Sequence, residues 1–126
     1  MAVLASVVLL FATIDVVTGA RFELGIGAGW DKQEYEAVGI PFEPAAVRIS
    51  RMQEAVHVIK GLWSDSPLTF SGRYYTITGL TGVPKPAQRP HPPIFMGGGG
   101  QQLLSFAGQQ ADIVGIHGKA GPARTN

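Results

Sequence analysis

The sequence lacks the residues that several classes of protein require. It has no cysteine among its 126 residues, which excludes disulfides, thiolate metal sites and cysteine nucleophiles. Only 15% of the residues are charged and the net charge is +1, without the basic excess typical of proteins that bind nucleic acid or anionic membranes. An apolar content of 45% argues against a disordered tail. We therefore expect one modest globular domain with no nucleic-acid and no membrane partner.

Candidates for metal or acid–base chemistry are also scarce. The three histidines are His57 on a predicted helix face, His91 in a proline-rich segment and His117 near the C-terminus. No two of them have the spacing of metal ligands, and no acid accompanies them. A Ser–His–Asp arrangement cannot be proposed either. We expect no metal, and the catalytic residues stay unassigned.

The first twenty residues allow three interpretations, because residues 1–14 carry no charge and Asp15 is the first charged residue. One is a buried helix over residues 2–17 that Gly19 ends. Another is a secretory signal peptide cleaved after Ala20, although the basic segment that begins such peptides is missing. A membrane span is short of the required length and would contain Asp15. The buried helix is favoured, and we expect a cytoplasmic protein.

Strands and helices alternate along the rest of the chain. The patterns predict a strand over 22–27, an amphipathic helix over 44–62, a buried strand over 94–96, a helix over 101–109 and another buried strand over 113–116. Residues 29–44 are predicted to form a polar loop, and the insertion 64–92 a hairpin around Ser71-Gly72 followed by an extended proline-rich stretch. On the long helix, Arg48, Arg51 and Glu54 belong to the polar side. This alternation indicates right-handed crossovers and a parallel sheet.

Four consecutive glycines, Gly97–Gly100, follow one predicted strand and precede a helix. Backbone N–H groups at a helix start are unpaired and lie at the positive end of the helix dipole. Where no side chains intervene, a phosphate can approach these groups closely. A tight turn would explain one or two glycines, so four favour a phosphate site. Gln101 and Gln102 are either further donors or ordinary polar residues at a helix start.

The second glycine cluster, Gly25–Gly29, is a weak match to a dinucleotide-binding fingerprint. Trp30 stands where the last glycine of G-x-G-x-x-G belongs, and no helix is predicted to begin nearby. An alternative is close approach of bare backbone to a flat ring. Trp30 and Tyr35, which follow, either line a pocket or cover the core.

Several blocks of sequence, in this order, resemble the luciferase-like monooxygenase superfamily. They are ARFELGIGAGWDKQEYEAVGIPF, then Arg48 and MQEAVHVIKGLW, then FSGRYYTI, then PKPAQRPHPPIFMGGGGQQLLSFAGQQADIVGI. The nearest resemblance is to the branch whose oxidoreductases use the deazaflavin coenzyme F420. It extends over nearly the whole chain, from Ala2 to Ile116.

The resemblance implies an α/β fold that is a partial TIM (β/α)8 barrel, with about three parallel strands, flanking helices and an inserted hairpin. The strands would be the fourth, fifth and sixth of the barrel. Since a full barrel typically needs ~250 residues, the chain would supply its central part. Open sheet edges would favour association into homo-oligomers.

The resemblance also implies hydride transfer between coenzyme F420, or alternatively FMN, and a small organic substrate. The cofactor phosphate would be bound by Gly97, Gly98, Gly99, Gly100, Gln101 and Gln102. Ala28 and Gln33 would hold the cofactor ring and its ribityl chain, Trp30 would contact substrate, and the hairpin would lie near the barrel mouth. The alternatives are an FMN-dependent monooxygenase of the same fold and a non-catalytic remnant.

Overall fold

The computed structural model describes residues 2–116, with side chains from residue 4 onward. The helices are α1 (Ala2–Val17), α2 (Lys32–Ala37), α3 (Ala45–Trp63) and α4 (Gln101–Gln110). The strands are β1 (Leu24–Ile26), β2 (Leu68–Ser71), β3 (Thr76–Leu80), β4 (Ile94–Gly98) and β5 (Ile113–Ile116). The predicted tail, with His117, lies outside the described residues.

Three strands form a parallel sheet in the order β1-β4-β5. Ile26 is in register with Met96, and Met96 with Val114. The connection from β1 to β4 contains α2, α3 and the hairpin, and α4 connects β4 to β5. This arrangement confirms the expected α/β fold with three parallel strands, flanking helices and an inserted hairpin.

The hydrophobic core lies between the helices and one face of the sheet. Because side chains alternate along a strand, Ile94 and Met96 point into this core and are fully buried, whereas Phe95 points to the opposite face. Helix α3 contributes the largest share of core side chains, namely Met52, Ala55, Val56, Val58, Ile59, Leu62 and Trp63. Among the described residues, Phe95 on the second face of the sheet is not part of this core.

Helix α1 packs against the core by one side, although its surface is apolar nearly all round. Val8, Ala12 and Asp15 are fully buried, whereas Leu10 and Val17 are exposed. The helix ends in a left-handed turn, with positive φ at Gly19 and Ala20 and a 2.8 Å bond from Ala20 N to Asp15 O. None of the helices within residues 2–116 combines the length and the hydropathy that crossing a membrane would need.

Two features of the loop after β1 differ from the sequence-based expectation. Strand β1 has three residues instead of six, and the stretch expected to be a polar loop contains α2. Asp31 caps this helix, since its Oδ1 accepts a 2.9 Å hydrogen bond from Gln33 N. No side chain of α2 is buried. The helix therefore needs no apolar side, and its sequence has no apolar periodicity by which it could be predicted. The expectation that no helix begins near Gly25–Gly29 was therefore wrong.

Strand β5 forms as expected, but it is not buried. Ile113, Val114 and Ile116 are all exposed, Ile116 by 75%. The reason is position, since β5 is an outer strand of the sheet among the described residues. Its apolar sequence is typical of a strand covered on both faces.

The inserted hairpin lies against α3 and is held there by Glu54. The Oε1 atom of Glu54 accepts a hydrogen bond from Arg73 N at 2.6 Å. Its Oε2 accepts from Tyr74 N at 2.8 Å and Tyr75 N at 3.1 Å. Burial would raise the pKa of Glu54, but these bonds and the nearby Arg51 charge outweigh it and lower the pKa. The hairpin turn therefore has a fixed anionic anchor.

Candidate functional site

A cleft of about 930 Å³ opens where the parallel strands end at their carboxyl side. It is bounded by the loop after β1, the loop after β4, the end of β5 and the first turns of α3. Its lining residues are Gly25, Ile26, Gly27, Ala28, Gly29, Trp30, Ala45, Arg48, Ile49, Phe95, Gly97, Gly98, Gly99, Leu103, Gly115 and Ile116. In parallel α/β folds, ligands bind at this end of the strands.

The ring of Phe95 packs next to a glycine of each of the three parallel strands. A Cβ on Gly115 would lie 2.6 Å from Phe95 Cζ, and one on Gly97 would lie 3.3 Å from Phe95 Cε1. On β1, a Cβ at Gly25 would reach the same ring at 3.9 Å. The aromatic ring can lie across neighbouring strands because these positions have no side chains. The result is a smooth, apolar surface inside the cleft.

The four-glycine loop contains positions that the fold requires and one that it does not. Gly98 has a φ of +150° and a Cβ there would overlap Leu103 Cδ2, and Gly100 has a φ of +89°. Gly97 is confined by Phe95. A Cβ on Gly99, however, would meet no atom within 4 Å. A tight turn and close packing therefore explain the other three glycines, whereas Gly99 leaves open space in the cleft.

Helix α4 begins directly at this loop and borders the cleft through Leu103. Gly100 is its N-cap, and no side chain makes a capping hydrogen bond. The first backbone bond across the turn runs from Leu104 N to Gly100 O at 3.1 Å. The preceding N–H groups of the turn are those that a helix start leaves for an external acceptor.

The loop after β1 is shaped by Gly29 and by the contacts of Tyr35. Gly29 has a φ of +83°, and a Cβ there would overlap the hydroxyl of Tyr35. Tyr35 donates a 3.4 Å hydrogen bond to Ala28 O and packs edge-on against Phe42, with ring centres 5.1 Å apart. Tyr35 thus supports this loop from behind, while Trp30 lines the cleft and is 85% exposed.

Arg48 joins this loop to the start of α3. Its Nη1 donates to Gly29 O, and its Nε donates to Glu43 O at 2.9 Å. Its guanidinium carbon lies 4.2 Å from the ring centre of Phe42. Among the described residues that line the cleft, Arg48 alone carries a charge. The sequence pattern had placed it only on the polar side of a helix.

The predicted site residues divide into two groups in the structure. Ala28, Trp30, Gly97, Gly98 and Gly99 line the cleft together. The others lie beside it and do not line it: Gly100, Gln101 and Gln102 at the start of α4 and Gln33 in the first turn of α2, all exposed.

The hairpin was expected near the barrel mouth, but none of its residues lines the cleft. Of the hairpin residues, Tyr75 borders a second cavity of about 440 Å³ between α3 and the loop after β1. This cavity adjoins the cleft and shares with it Ile26, Gly27, Ala28 and Arg48. The hydrogen bonds to Glu54 hold the hairpin turn against α3.

The sequence analysis also missed two residues that line the cleft, Phe95 and Gly115. Phe95 lies two residues before the glycine loop, and Gly115 lies in the strand that was expected to be buried. The alternation of Phe95 with buried neighbours was the available signal.

The chemistry that this lining permits is binding and orientation. No carboxylate or histidine of residues 4–116 lines the cleft, and that part of the chain has no group of acidic or histidine side chains able to hold a metal. Bare backbone, one guanidinium and apolar surface suit a flat ligand with an anionic group.

Known proteins are similar to this chain in sequence and in fold. The sequence profile of the family described as luciferase-like monooxygenase matches residues 5–126. An FMNH2-dependent dimethylsulfone monooxygenase of Pseudomonas putida is 38% identical over 80% of this chain and 28% of its own length. An F420-dependent glucose-6-phosphate dehydrogenase of Kineococcus radiotolerans is 38% identical over 81% of this chain and 29% of its own length. The chain thus spans less than a third of these relatives.

Solved structures agree at the level of the fold. An F420-dependent secondary alcohol dehydrogenase, in complex with an F420-acetone adduct, superposes with a TM-score of 0.77 and 31% identity over 90% of this chain and 34% of its own. The coenzyme F420-dependent tetrahydromethanopterin reductase of Methanopyrus kandleri has a TM-score of 0.78 at 24% identity, over 90% of this chain and 35% of its own, and shows the fold alone. With the profile matching nearly the whole length, this chain belongs to the luciferase-like monooxygenase family.

Proposed function

We propose that this chain forms the cofactor-binding part of an oxidoreductase that transfers hydride between coenzyme F420 and a small organic substrate. FMN is the alternative cofactor. The proposal concerns the whole enzyme's activity, of which this chain carries the central strands and their loops. No acid or base is assigned, because no titratable side chain of the described residues borders the cleft except Arg48.

The single observation that carries the proposal is the open space at Gly99. The fold accounts for its three glycine neighbours, but a side chain at Gly99 would meet nothing within 4 Å. Gly99 lines the cleft next to the start of α4, where no side chain makes a capping hydrogen bond. A position kept bare without a packing reason supports direct contact between backbone and ligand.

The chain's own residues can bind and orient such a ligand. The free N–H groups in the first turn of α4 suit a phosphate, and the glycine and Phe95 surface suits a flat ring. Ile26, Ile49 and Leu103 line the same cleft and would exclude water from the ring. Trp30, exposed at the mouth, is placed to contact substrate. A bound deazaflavin or flavin supplies the hydride chemistry itself.

The relatives divide between the two cofactors, and F420 is proposed first for a structural reason. The solved relative at 31% identity that covers 90% of this chain is an F420-dependent enzyme. Reduced FMN is named for the dimethylsulfone monooxygenase at 38% identity. The described residues that line the cleft do not favour F420 over FMN.

A fluorescence titration of F420 with the purified 126-residue chain tests the proposal, with FMN as competitor. We expect saturable F420 binding that FMN displaces poorly. Displacement at equal concentration would favour FMN-type chemistry. Binding of neither cofactor by a folded chain, as judged by circular dichroism, would contradict the proposal.

A further inference from the structure

Arg48 is a positive charge that no acidic side chain neutralises within the described residues. Both of its hydrogen bonds go to neutral backbone carbonyls, Gly29 O and Glu43 O. The ion pairs of residues 4–116 are Lys32–Glu36, Arg51–Glu43 and Arg89–Asp65, and Arg48 takes part in none of them. Its Nη2 group makes no hydrogen bond to any described residue. Arg48 therefore keeps its charge and three of its five N–H donors available, two of them on Nη2.

Arg51, one turn further along α3, shows the contrast. Its Nη2 lies 2.7 Å from Glu43 Oε1, and its guanidinium carbon lies 4.5 Å from the ring centre of Tyr74. Arg51 does not line the cleft. The two arginines share a helix and similar aromatic contacts, but only Arg51 has its charge compensated.

The contacts of Arg48 also fix its orientation before any ligand binds. Two carbonyls and the face of Phe42 hold the guanidinium, so little side-chain entropy remains to be lost on binding. On the cleft side its neighbours are glycines and apolar side chains, which do not compete for its donors. Such surroundings strengthen an interaction with an anion relative to bulk water. On its other side Arg48 borders the second cavity with Glu43 and Arg51, which pair with each other.

We propose that Arg48 forms an anion-binding subsite of the cleft, which takes a carboxylate or phosphate group separate from the phosphate at the start of α4. This inference rests on the proposed function for the identity of the ligand. The anionic group has two possible sources. It belongs either to the cofactor's phosphate-and-glutamate tail or to the organic substrate.

Three variants separate the charge of Arg48 from its role in holding the loop. Arg48→Met removes the charge and keeps the length of the side chain. Arg48→Lys keeps the charge but cannot bridge both carbonyls. Arg51→Met is the matched control from the same helix. Circular dichroism and thermal unfolding verify the fold, and Arg48→Gln replaces Arg48→Met if that variant does not fold.

The first arm measures affinity for F420 and for the tailless deazaflavin riboside. If the cofactor tail is the source, Arg48→Met weakens F420 binding about tenfold or more, as the loss of one charge-assisted hydrogen bond predicts. Binding of the riboside then stays unchanged, and Arg51→Met behaves as the unmodified chain. Arg48→Lys recovers most of the affinity.

The second arm uses inorganic phosphate on the free protein and needs no flavin. We expect phosphate to raise the unfolding midpoint of the unmodified chain and of Arg51→Met more than that of Arg48→Met. A phosphate effect without a change in F420 affinity assigns the subsite to the substrate. The proposal is overturned if Arg48→Met changes neither measurement, or if Arg48→Lys is as weak as Arg48→Met, which indicates a clamp alone. Failure of the unmodified chain to bind any flavin refutes the proposed function, while this arm still decides the role of Arg48.

Discussion

At the scale of single residues, Asp15 is the buried charge of the described chain. Its Oδ2 accepts a hydrogen bond from Gln88 N at 2.8 Å. Its Oδ1 accepts from Gln88 Nε2 at 2.7 Å and from Phe22 N at 3.2 Å. Burial would raise the pKa of Asp15, but the hydrogen bonds from Gln88 and the backbone outweigh it and lower the pKa. One carboxylate thus connects α1 with the residues just before β1 and with the proline-rich segment.

Replacing Asp15 by asparagine should destabilise the chain by about 1–3 kcal/mol at pH 7, because one acceptor oxygen becomes an amide donor facing other donors. Urea unfolding measures this change. The control is Asp65→Asn, since Asp65 has an 81% exposed side chain in a surface ion pair and should change the free energy of unfolding very little.

The same carboxylate gives the stability a pH dependence of defined sign. A pKa lowered by folding means that the stabilisation is present above the ordinary carboxyl pKa of about 3.9 and is lost as the pH falls through the lowered value. The difference between the unmodified chain and Asp15→Asn should therefore shrink below about pH 4. A difference that grows on acidification would contradict this account.

The sequence revealed that Asp15 was unusual but not what it does. The sequence shows a single acidic residue within an apolar helical segment, and this residue argued against a membrane span. Its partner Gln88 lies 73 residues away, and no local pattern connects the two positions.

At the scale of elements, periodic segments were predictable and unpatterned ones were not. The spacing of buried residues gave α3 to within one residue at each end, because its core side is wide. The short α2 has no buried residue and was missed, although Asp31 is a typical capping residue. β5 was expected to be buried because its sequence is apolar. An apolar sequence does not show which neighbouring elements cover the strand.

The hairpin gives a prediction at this scale. Glu54→Gln should release the turn, because an amide group would replace one of the two oxygens that accept from Arg73, Tyr74 and Tyr75. Hydrogen exchange should show faster exchange over residues 72–77 while the sheet core remains protected. Acidification below the ordinary carboxyl range should have the same effect in the unmodified chain, since folding lowers the pKa of Glu54.

Glu36→Gln is the matched control for this experiment. Glu36 forms a 3.7 Å ion pair with Lys32 on the exposed surface of α2. Its replacement by glutamine should therefore leave the hairpin amides protected from exchange. Unchanged exchange of the hairpin amides in Glu54→Gln would show that packing against α3 holds the hairpin without the carboxylate.

At the scale of the whole molecule, the end of the sheet that carries the site was predictable and its composition was not. The glycine clusters marked the carboxyl ends of β1 and β4, where parallel folds place ligands. Arg48, Phe95 and Gly115 reach the same cleft from α3 and from the open face of the sheet. Their convergence depends on strand order and register, which the sequence does not state.

The chain is also a limited part of the proteins that it resembles. It covers 34% of the F420-dependent secondary alcohol dehydrogenase, and β1 and β5 are the outer strands of its sheet within residues 2–116. Association through these edges stays a prediction. The described cleft alone, through its bare glycine loop, is proposed to bind the cofactor.

The most direct test of that claim is the F420 affinity of Gly99→Ala beside that of Gly108→Ala. A Cβ added at either glycine would meet no atom within 4 Å, but Gly108 lies on α4 away from the cleft lining. We predict that Gly99→Ala unfolds at the same temperature as the unmodified chain and binds F420 about tenfold more weakly, because its methyl group overfills the site. Gly108→Ala should bind normally and be stabilised by about 0.5–1 kcal/mol. Unchanged F420 affinity in a folded Gly99→Ala variant would contradict the account.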